Sequence, residues 1–161
     1  MIFSPQSKVW IYQSNRKFTH QEAVEIQQIL DDFTSQWKAH GHQLKAKGGI
    51  FYQYFIVLTV DQETAHATGC SIDASVKTIK QIENKFGLDL FNRFNMAYKI
   101  DDEVHVVPKE DFETLISIKK IGLDTIVFNN LVQTLMEFEQ KWEVPLQSSW
   151  HKNIFSEQLG I

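Results

Sequence analysis

The fold is decided by a run of apolar and aromatic residues near the middle of the chain, Phe51-Tyr52-Gln53-Tyr54-Phe55-Ile56-Val57-Leu58-Thr59-Val60. Aromatic and β-branched residues dominate this run, and both types favour an extended backbone. Because apolar residues occupy both alternating faces, both faces of the strand are expected to be covered. We therefore expect residues 51–60 to form a central strand of a sheet.

A hairpin and a helix are predicted before this strand. Gly48-Gly49 separates residues 43–47 from it, and two consecutive glycines accept the positive φ angles of a tight hairpin turn. Thr19 and Glu22 have the spacing of a capping box, which starts a helix. Gly41 supplies the left-handed residue that is typical of a helix end. Between these signals, apolar residues at spacings of three and four form one stripe, comprising Ala23, Ile26, Leu30, Phe33 and Trp37.

The same signals predict the rest of the chain. In order, the elements are a strand at residues 9–12, a helix from its N-cap Ser71 to about residue 86, a hairpin of residues 97–100 and 104–107, a helix opened by Pro108, and a helix from Asp124 to about residue 142. The last of these helices carries an apolar stripe of Phe128, Leu131, Leu135, Phe138 and Trp142.

The order of these elements predicts an α+β fold with a ferredoxin-like (βαββαβ) core, an extra β-hairpin strand and two C-terminal helices packed on the sheet. The first two helices are expected to cover one sheet face. The last two would cover the other face, which would carry Trp10, Tyr12, Tyr52 and Tyr54; alternatively, that face stays open and binds a ligand. Six side chains are expected to be deeply buried, namely Leu30, Phe33, Ile56, Leu58, Ile79 and Phe128.

Length and composition predict one globular domain. The chain has 161 residues, of which 43% are hydrophobic and 22% charged, close to the average for soluble domains. We expect a single domain over residues 1–161, with its core at about 8–107, a helical layer at about 108–143 and a tail at 144–161. The net charge of −4, with no basic half, argues against a nucleic-acid binder, whose affinity comes from neutralising phosphates.

The ends and the cysteine usage predict a cytoplasmic location. Residues 1–8 lack the basic and apolar regions of a secretory signal, and the longest apolar run is about half a bilayer-spanning helix. The single cysteine cannot form an internal disulfide, which is typical of a reducing compartment. We expect no membrane partner.

A candidate nucleophilic site lies before the second helix. Cys70 is placed at the predicted helix start, where free amides and the helix dipole favour a thiolate. His66, four residues earlier, has the chemistry of a base, so Cys70 and His66 are candidate catalytic residues. The simpler interpretation is that Cys70 is a small buried residue, whose thiol would react only when the chain unfolds.

The same loop also predicts an anion site. The amides at the helix start, with Thr68, Gly69 and Ser71, are hydrogen-bond donors, and Asp73 is the nearby acceptor. In a ferredoxin-like core, the loop that holds Arg16 would emerge beside this helix start. Arg16 is therefore a candidate ligand-binding residue, although an exposed arginine also commonly pairs with a surface carboxylate.

The absence of several well-known motifs argues against several classes of function. The chain has no phosphate-loop motif, nucleophile elbow, paired C-x-x-C or H-E-x-x-H sequence, so we expect no cofactor and no metal. His40 and His42 flank Gly41 and are interpreted as a surface cluster rather than metal ligands. The aromatic residues predicted on the sheet resemble those of RNA-recognition modules, but the basic signature of those modules is missing, so core packing is the better interpretation.

Two segments resemble a known family. The runs Trp10-Ile11-Tyr12-Gln13-Ser14-Asn15-Arg16-Lys17-Phe18 and Thr68-Gly69-Cys70-Ser71-Ile72-Asp73-Ala74-Ser75-Val76 are similar to a small family of uncharacterised bacterial proteins of comparable length. The resemblance spans most of the chain and implies no established activity. Members are sometimes labelled ABC-transporter ATPases, a label that this chain does not support because it lacks the glycine-lysine phosphate loop.

The sequence thus predicts a non-catalytic cytoplasmic protein that binds a ligand or a partner, with a small-anion site at the start of the second helix. A homodimer is compatible with this prediction. The alternative is a small thiol-dependent enzyme that uses Cys70 with His66 as its base.

Overall fold

Antiparallel sheets and six α-helices make up the computed structural model, which describes residues 2–63 and 65–161. Contacts divide the chain into two compact units. The first comprises the described residues up to Phe91 together with Gln133–Phe138, and the second comprises Asn92–Val132 and Glu139–Ile161. The predicted α+β class is confirmed.

The first unit contains a three-stranded sheet, a small hairpin and two long helices. The bounds are β1 Lys8–Gln13, α1 His20–Gln36, β2 Lys38–Ala39, β3 His42–Gln43, β4 Lys45–Phe51, β5 Phe55–Asp61 and α2 Gly69–Phe86. The sheet order is β1-β5-β4, and both pairings are antiparallel. Residues 133–135 lie along the start of β1, where the Val9 amide donates to the Gln133 carbonyl over 3.0 Å.

Helices α1 and α2 pack against one face of this sheet. Their inward residues Ile26, Leu30, Ile79 and Ile82 are fully buried and form one cluster with Ile56, Leu58 and Val60 of β5. The central position of β5 is also confirmed, because all seven of its residues are buried. Of the six side chains expected to be buried, Phe33 is the exception, being only partly buried.

The ferredoxin-like order is not confirmed. In that arrangement the first and third long strands are parallel neighbours and the final strand joins the same sheet. Here β1 and β5 are antiparallel, and the second predicted hairpin belongs to a separate sheet in the second unit. The physical reason is that the hairpin strands β6 (Asn95–Ile100) and β7 (Glu103–Pro108) belong to a sheet of their own. In that sheet β6 also pairs with β8 (Ile126–Phe128), and β8 pairs with β9 (Glu143–Pro145), around a separate core.

The turn of the β4–β5 hairpin is not at Gly48-Gly49. Strand β4 runs through both glycines, and the turn is made by Tyr52 and Gln53, which adopt φ angles of 55° and 58°. A Cβ atom on Gly48 would lie 3.0 Å from the Leu30 Cβ and 3.2 Å from the Leu58 Cδ2. The glycine therefore lets α1 approach β4 closely.

Two further local predictions are corrected in this unit. Gly41 does not end α1, which stops at Gln36; it forms, with His40, the left-handed turn of the β2–β3 hairpin. Trp10 and Tyr12 do not face away from α1 and α2 but pack in the same cluster as those helices. The alternation along β1 is as predicted, but α1 and α2 cover the face that carries Trp10 and Tyr12.

The second unit contains a four-stranded sheet of order β7-β6-β8-β9. Its elements are β6 Asn95–Ile100, β7 Glu103–Pro108, α3 Lys109–Ser117, β8 Ile126–Phe128, β9 Glu143–Pro145, a 3-10 turn Leu146–Ser148, α5 His151–Ile154 and α6 Ser156–Leu159. The second hairpin and the helix after Pro108 are confirmed. The intervening helix α4, Leu135–Lys141, spans the boundary between the units.

The predicted fourth helix and the tail are corrected. The β-branched and aromatic run Ile126–Phe128 forms β8, which pairs with Tyr98 and Lys99 of β6, so the helix begins only at Leu135. Residues 144–161 are not a loose tail. Phe155 is fully buried and its ring centre lies 4.8 Å from that of Phe112 in α3.

Candidate functional site

The start of α2 holds most of the candidate site residues, and its polar groups largely bond to one another. Thr68, not Ser71, is the N-cap, and the helix begins at Gly69. The Ser71 hydroxyl donates to the Thr68 carbonyl over 2.9 Å and accepts from the Thr68 amide over 2.7 Å. Ser71 is buried, and the Trp37 indole donates to its carbonyl over 2.8 Å. The predicted anion donor Ser71 therefore serves as a capping partner.

Cys70 and His66 are both exposed. Within the described residues, no hydrogen bond joins the thiol to the imidazole. The expectation that Cys70 is a buried residue is therefore wrong, because the first turn of α2 directs this position to solvent. Gly69 and Asp73 are exposed on the same turns.

Arg16 lies at the other end of α2. Its guanidinium donates to both carboxylate oxygens of Glu22 over 2.8 Å and to the Phe86 carbonyl over 2.7 Å. Since α2 runs from Gly69 to Phe86, the helix rise of about 1.5 Å per residue separates Arg16 from the start of α2 by about 25 Å. The predicted convergence of Arg16 with Ser71 is wrong, because it depended on parallel strands.

Arg16 instead ties the start of α1 to the end of α2. Glu22 also accepts from the Thr19 amide over 2.9 Å, which completes the capping box predicted at the start of α1. The Arg16 guanidinium and the Thr19 amide hold the pKa of Glu22 at about 2. Because the pKa of Glu22 is lower in the folded state than in the unfolded state, where it is about 4.5, the carboxylate stabilises the fold at pH values above 4.5. This contribution is lost as the pH falls towards 2.

This ion pair gives the first testable prediction. Replacing Glu22 by glutamine keeps a capping side chain but removes the charge, and should lower the free energy of unfolding at pH 7 by about 1 kcal/mol after allowance for solvent screening. The deficit relative to the unmodified protein should shrink as the pH is lowered from 4.5 to 3. Urea denaturation at several pH values measures it, with Glu25→Gln as the control because Glu25 is 41% exposed and 4.0 Å from its nearest lysine. A deficit independent of pH would contradict the assigned role of Glu22.

A cleft at the C-terminal end of α1 was not predicted. It has a volume of about 590 Å³ and lies between the last turns of α1 and the outer edge of β4. Its lining residues are Asp31, Thr34, Ser35, Gln43, Leu44, Lys45, Ala46 and Lys47. Within the described residues, β4 pairs with a strand on one side only.

The outer edge of β4 is partly capped by side chains. The Tyr54 carbonyl faces β1, since it accepts from the Ser14 amide, and alternation along the hairpin then directs the backbone groups of Ala46, Gly48 and Ile50 outward. Gln27 of α1 donates to the outward Gly48 carbonyl over 2.9 Å. Gln43 donates to the Leu44 carbonyl over 3.1 Å. The peptide groups of Ala46 therefore lie between two capped carbonyls and open into the cleft.

Sequence reasoning missed this cleft because its decisive residues appeared to belong to a turn. Placing the hairpin turn at Gly48-Gly49 ended the preceding strand at residue 47 and left no open edge to consider. The available signal was the set of small residues Ala46, Gly48 and Gly49 within one extended run, since small side chains allow close approach of another backbone.

The second unit contains a buried hydroxyl–imidazole pair that the sequence also did not suggest. The Ser149 Oγ and the His151 Nδ1 are 2.7 Å apart, and the Trp150 ring stacks on the His151 ring at 3.7 Å. Burial lowers the pKa of His151 to about 4. Because both side chains are buried, this pair is part of the packing of the unit and not an accessible nucleophile.

Two features are absent from the described residues. They contain no group of three or more His, Cys, Asp or Glu side chains that could hold a metal ion. In the same part of the chain, none of the helices combines the length and apolar character needed to cross a bilayer.

Comparison with known proteins identified no relative. No family model matches the chain, and no significant similarity was found to a curated protein or to a solved structure. The resemblance to uncharacterised bacterial proteins stays a prediction.

Proposed function

We propose that the protein is a non-catalytic, cytoplasmic binding protein that holds an extended peptide segment of a partner in the cleft beside β4. The observation that carries this proposal is the outward-facing peptide group of Ala46, which opens into the cleft between two capped carbonyls. An extended segment that exchanges hydrogen bonds with Ala46 would add a short strand to the sheet.

The two glutamine caps favour a short segment over unlimited strand pairing. Open strand edges promote aggregation, and proteins protect them by blocking part of the edge. With the carbonyls of Leu44 and Gly48 already occupied, Ala46 is the position within the cleft at which a partner backbone would both donate and accept. Lys45 and Lys47 on either side add charge to the edge, which further disfavours pairing with another apolar strand.

The proposal is tested with the pentapeptide acetyl-Thr-Glu-Ser-Glu-Thr-amide and isotope-labelled protein. We expect the amide signals of Ala46 and Gly48 to shift on titration and the Ala46 amide to exchange more slowly with solvent. Methylating the backbone nitrogen of the central serine should weaken binding at least tenfold, because that nitrogen would donate to the Ala46 carbonyl. Equal binding of the methylated peptide would contradict strand addition.

A small anionic ligand at the start of α2 remains a separate proposal. Helix starts bind anions through free amides, and the amides of Gly69 and Cys70 lie there beside Asp73 and the mutually bonded Thr68 and Ser71. Arg16 is not included, because its guanidinium is bound to Glu22 and Phe86. Phosphate added to the same labelled protein should shift the Gly69 and Cys70 amide signals if this proposal is correct.

The exposure of Cys70 favours one alternative, a thiol-dependent enzyme with His66 as its base. We expect the native protein to react with one equivalent of a thiol reagent without denaturant. If the enzyme alternative is correct, His66→Ala should slow this labelling at least tenfold. The control is His42→Ala, at an exposed histidine of β3, which should leave the labelling rate unchanged. An unchanged rate in His66→Ala would exclude His66 as the base.

A further inference from the structure

We infer that the segment bound in the cleft is acidic, with carboxylates at the two positions that flank the residue opposite Ala46. This inference rests on the proposed function and adds the chemical class of the partner. It follows from the charges along β4 and from the alternation of side chains between the two faces of a sheet.

The stretch of chain that leads into β4 is basic in a chain that is acidic as a whole. Residues 38–47 contain three lysines and two histidines but no acidic residue, whereas the chain carries a net charge of −4. Lys38, His40, His42 and Lys47 are exposed. The cations on the β4 edge itself are Lys45 and Lys47, and positive charge on an edge selects partners of opposite charge and speeds their association.

The alternation of side chains between the two faces of a sheet determines where the partner's charged side chains would lie. A residue opposite Ala46 directs its side chain to the face that α1 covers, because Ala46 packs against the core cluster on that face. Its two neighbours in the partner then lie on the face of Lys45 and Lys47. Side chains directly opposite each other in neighbouring strands have Cβ atoms about 5 Å apart, which suits a lysine–carboxylate pair.

The two lysines are not equivalent. The Lys45 Nζ is 3.3 Å from the buried Asp61 carboxylate, so much of its charge is already compensated. The Lys47 Nζ lies 4.5 Å from the centre of the Phe3 ring, a contact that leaves the cation able to bind a carboxylate. The position opposite Lys47 should therefore contribute more to affinity than the position opposite Lys45.

The helical wall of the cleft disfavours an acidic side chain at the central position. Asp31 is exposed there and accepts from Gln27 over 2.9 Å, and Thr34 and Ser35 complete the wall. A carboxylate opposite Ala46 would meet the negative charge of Asp31, whereas a small hydroxyl side chain would not. The preferred pattern is acidic, small polar, acidic.

The test compares three labelled pentapeptides by fluorescence anisotropy at low and high salt. They share a central serine and differ at its neighbours, which are both glutamate, both glutamine or both lysine. We expect the glutamate peptide to bind at least tenfold more tightly than the glutamine peptide at low salt, and this ratio to fall as salt screens the charges. The lysine peptide should bind most weakly.

Lys47→Glu should reverse the preference between the glutamate and lysine peptides. Lys77→Glu makes the same change of charge at an exposed position of α2, which contributes no residue to the cleft, and should leave the preference intact. Binding of all three peptides with equal affinity would overturn the acidic preference and leave strand addition standing. Failure of every peptide to bind would overturn both the acidic preference and strand addition. A salt-resistant dimer of the protein alone that masks the Ala46 amide would replace the peptide by a second copy of the chain.

Discussion

Replacing Phe155 by alanine should cost the second unit about 3–5 kcal/mol of stability, the usual range for removing a buried phenylalanine ring. Phe155 is fully buried, and its ring packs against Phe112 within a cluster that includes Met96, Tyr98 and Leu146. The cavity left by the ring would be surrounded by strands and a helix that cannot all move to fill it. The expected result is faster hydrogen exchange throughout β6 and α3.

The neighbouring residue supplies the control. Ile154 is 54% exposed, so Ile154→Ala should change the stability by no more than about 0.5 kcal/mol. Hydrogen exchange followed by mass spectrometry resolves the two units separately, which a single unfolding curve does not. Protection of β6 and α3 that is equal in the two variants would show that the Phe155 ring is dispensable to the core.

The second large effect is expected at Gly48. A valine there would place its Cβ 3.0 Å from the Leu30 Cβ, and neither α1 nor β4 can move away without losing core contacts. We expect Gly48→Val to destabilise the first unit by about 2–3 kcal/mol, as overpacked core positions do. The measurement is the hydrogen exchange of α1 and β5 in the native protein.

Gly49 makes this experiment well controlled. It is the next residue of the same strand, and a Cβ atom added there would meet only the Phe51 Cε2, at an ordinary distance of 3.5 Å. Gly49→Val should be tolerated, or slightly stabilising, because valine favours extended backbone. If the two valine variants behaved alike, the close approach of α1 would not be the reason for a glycine at position 48.

The elements that the sequence predicted well are those with strong local signals. The capping box of Thr19 and Glu22, the apolar stripe of α1 and the β-branched core of β5 each depend on neighbours within a few residues. The hairpin of β6 and β7 also has a local signal, with Asp101 and Asp102 in left-handed turn conformations.

The strand order could not be predicted in the same way. Whether β6 joins the first sheet or forms another is decided by which buried surfaces fit, and no local pattern encodes that choice. The same limit applied to the candidate site. Arg16 was correctly placed in the loop before α1, but its partner proved to be the end of α2 and not its start, because strands β1 and β5 are antiparallel. The single wrong turn at Gly48-Gly49 concealed the edge at Ala46.

Residues 133–138 belong to the first unit although they follow most of the second unit along the chain. This order has a consequence for how the chain folds during synthesis. Thr134 forms a β-bridge with Lys8, and the Leu135 amide donates to the Ser7 carbonyl over 2.8 Å. The first unit therefore cannot complete the outer edge of β1 until the ribosome has released residue 135, well after α2 has emerged. Until then β1 presents an unpaired edge to other nascent chains. A truncation after Phe91 would make that exposure permanent, so the first unit cannot be obtained intact by a single cut.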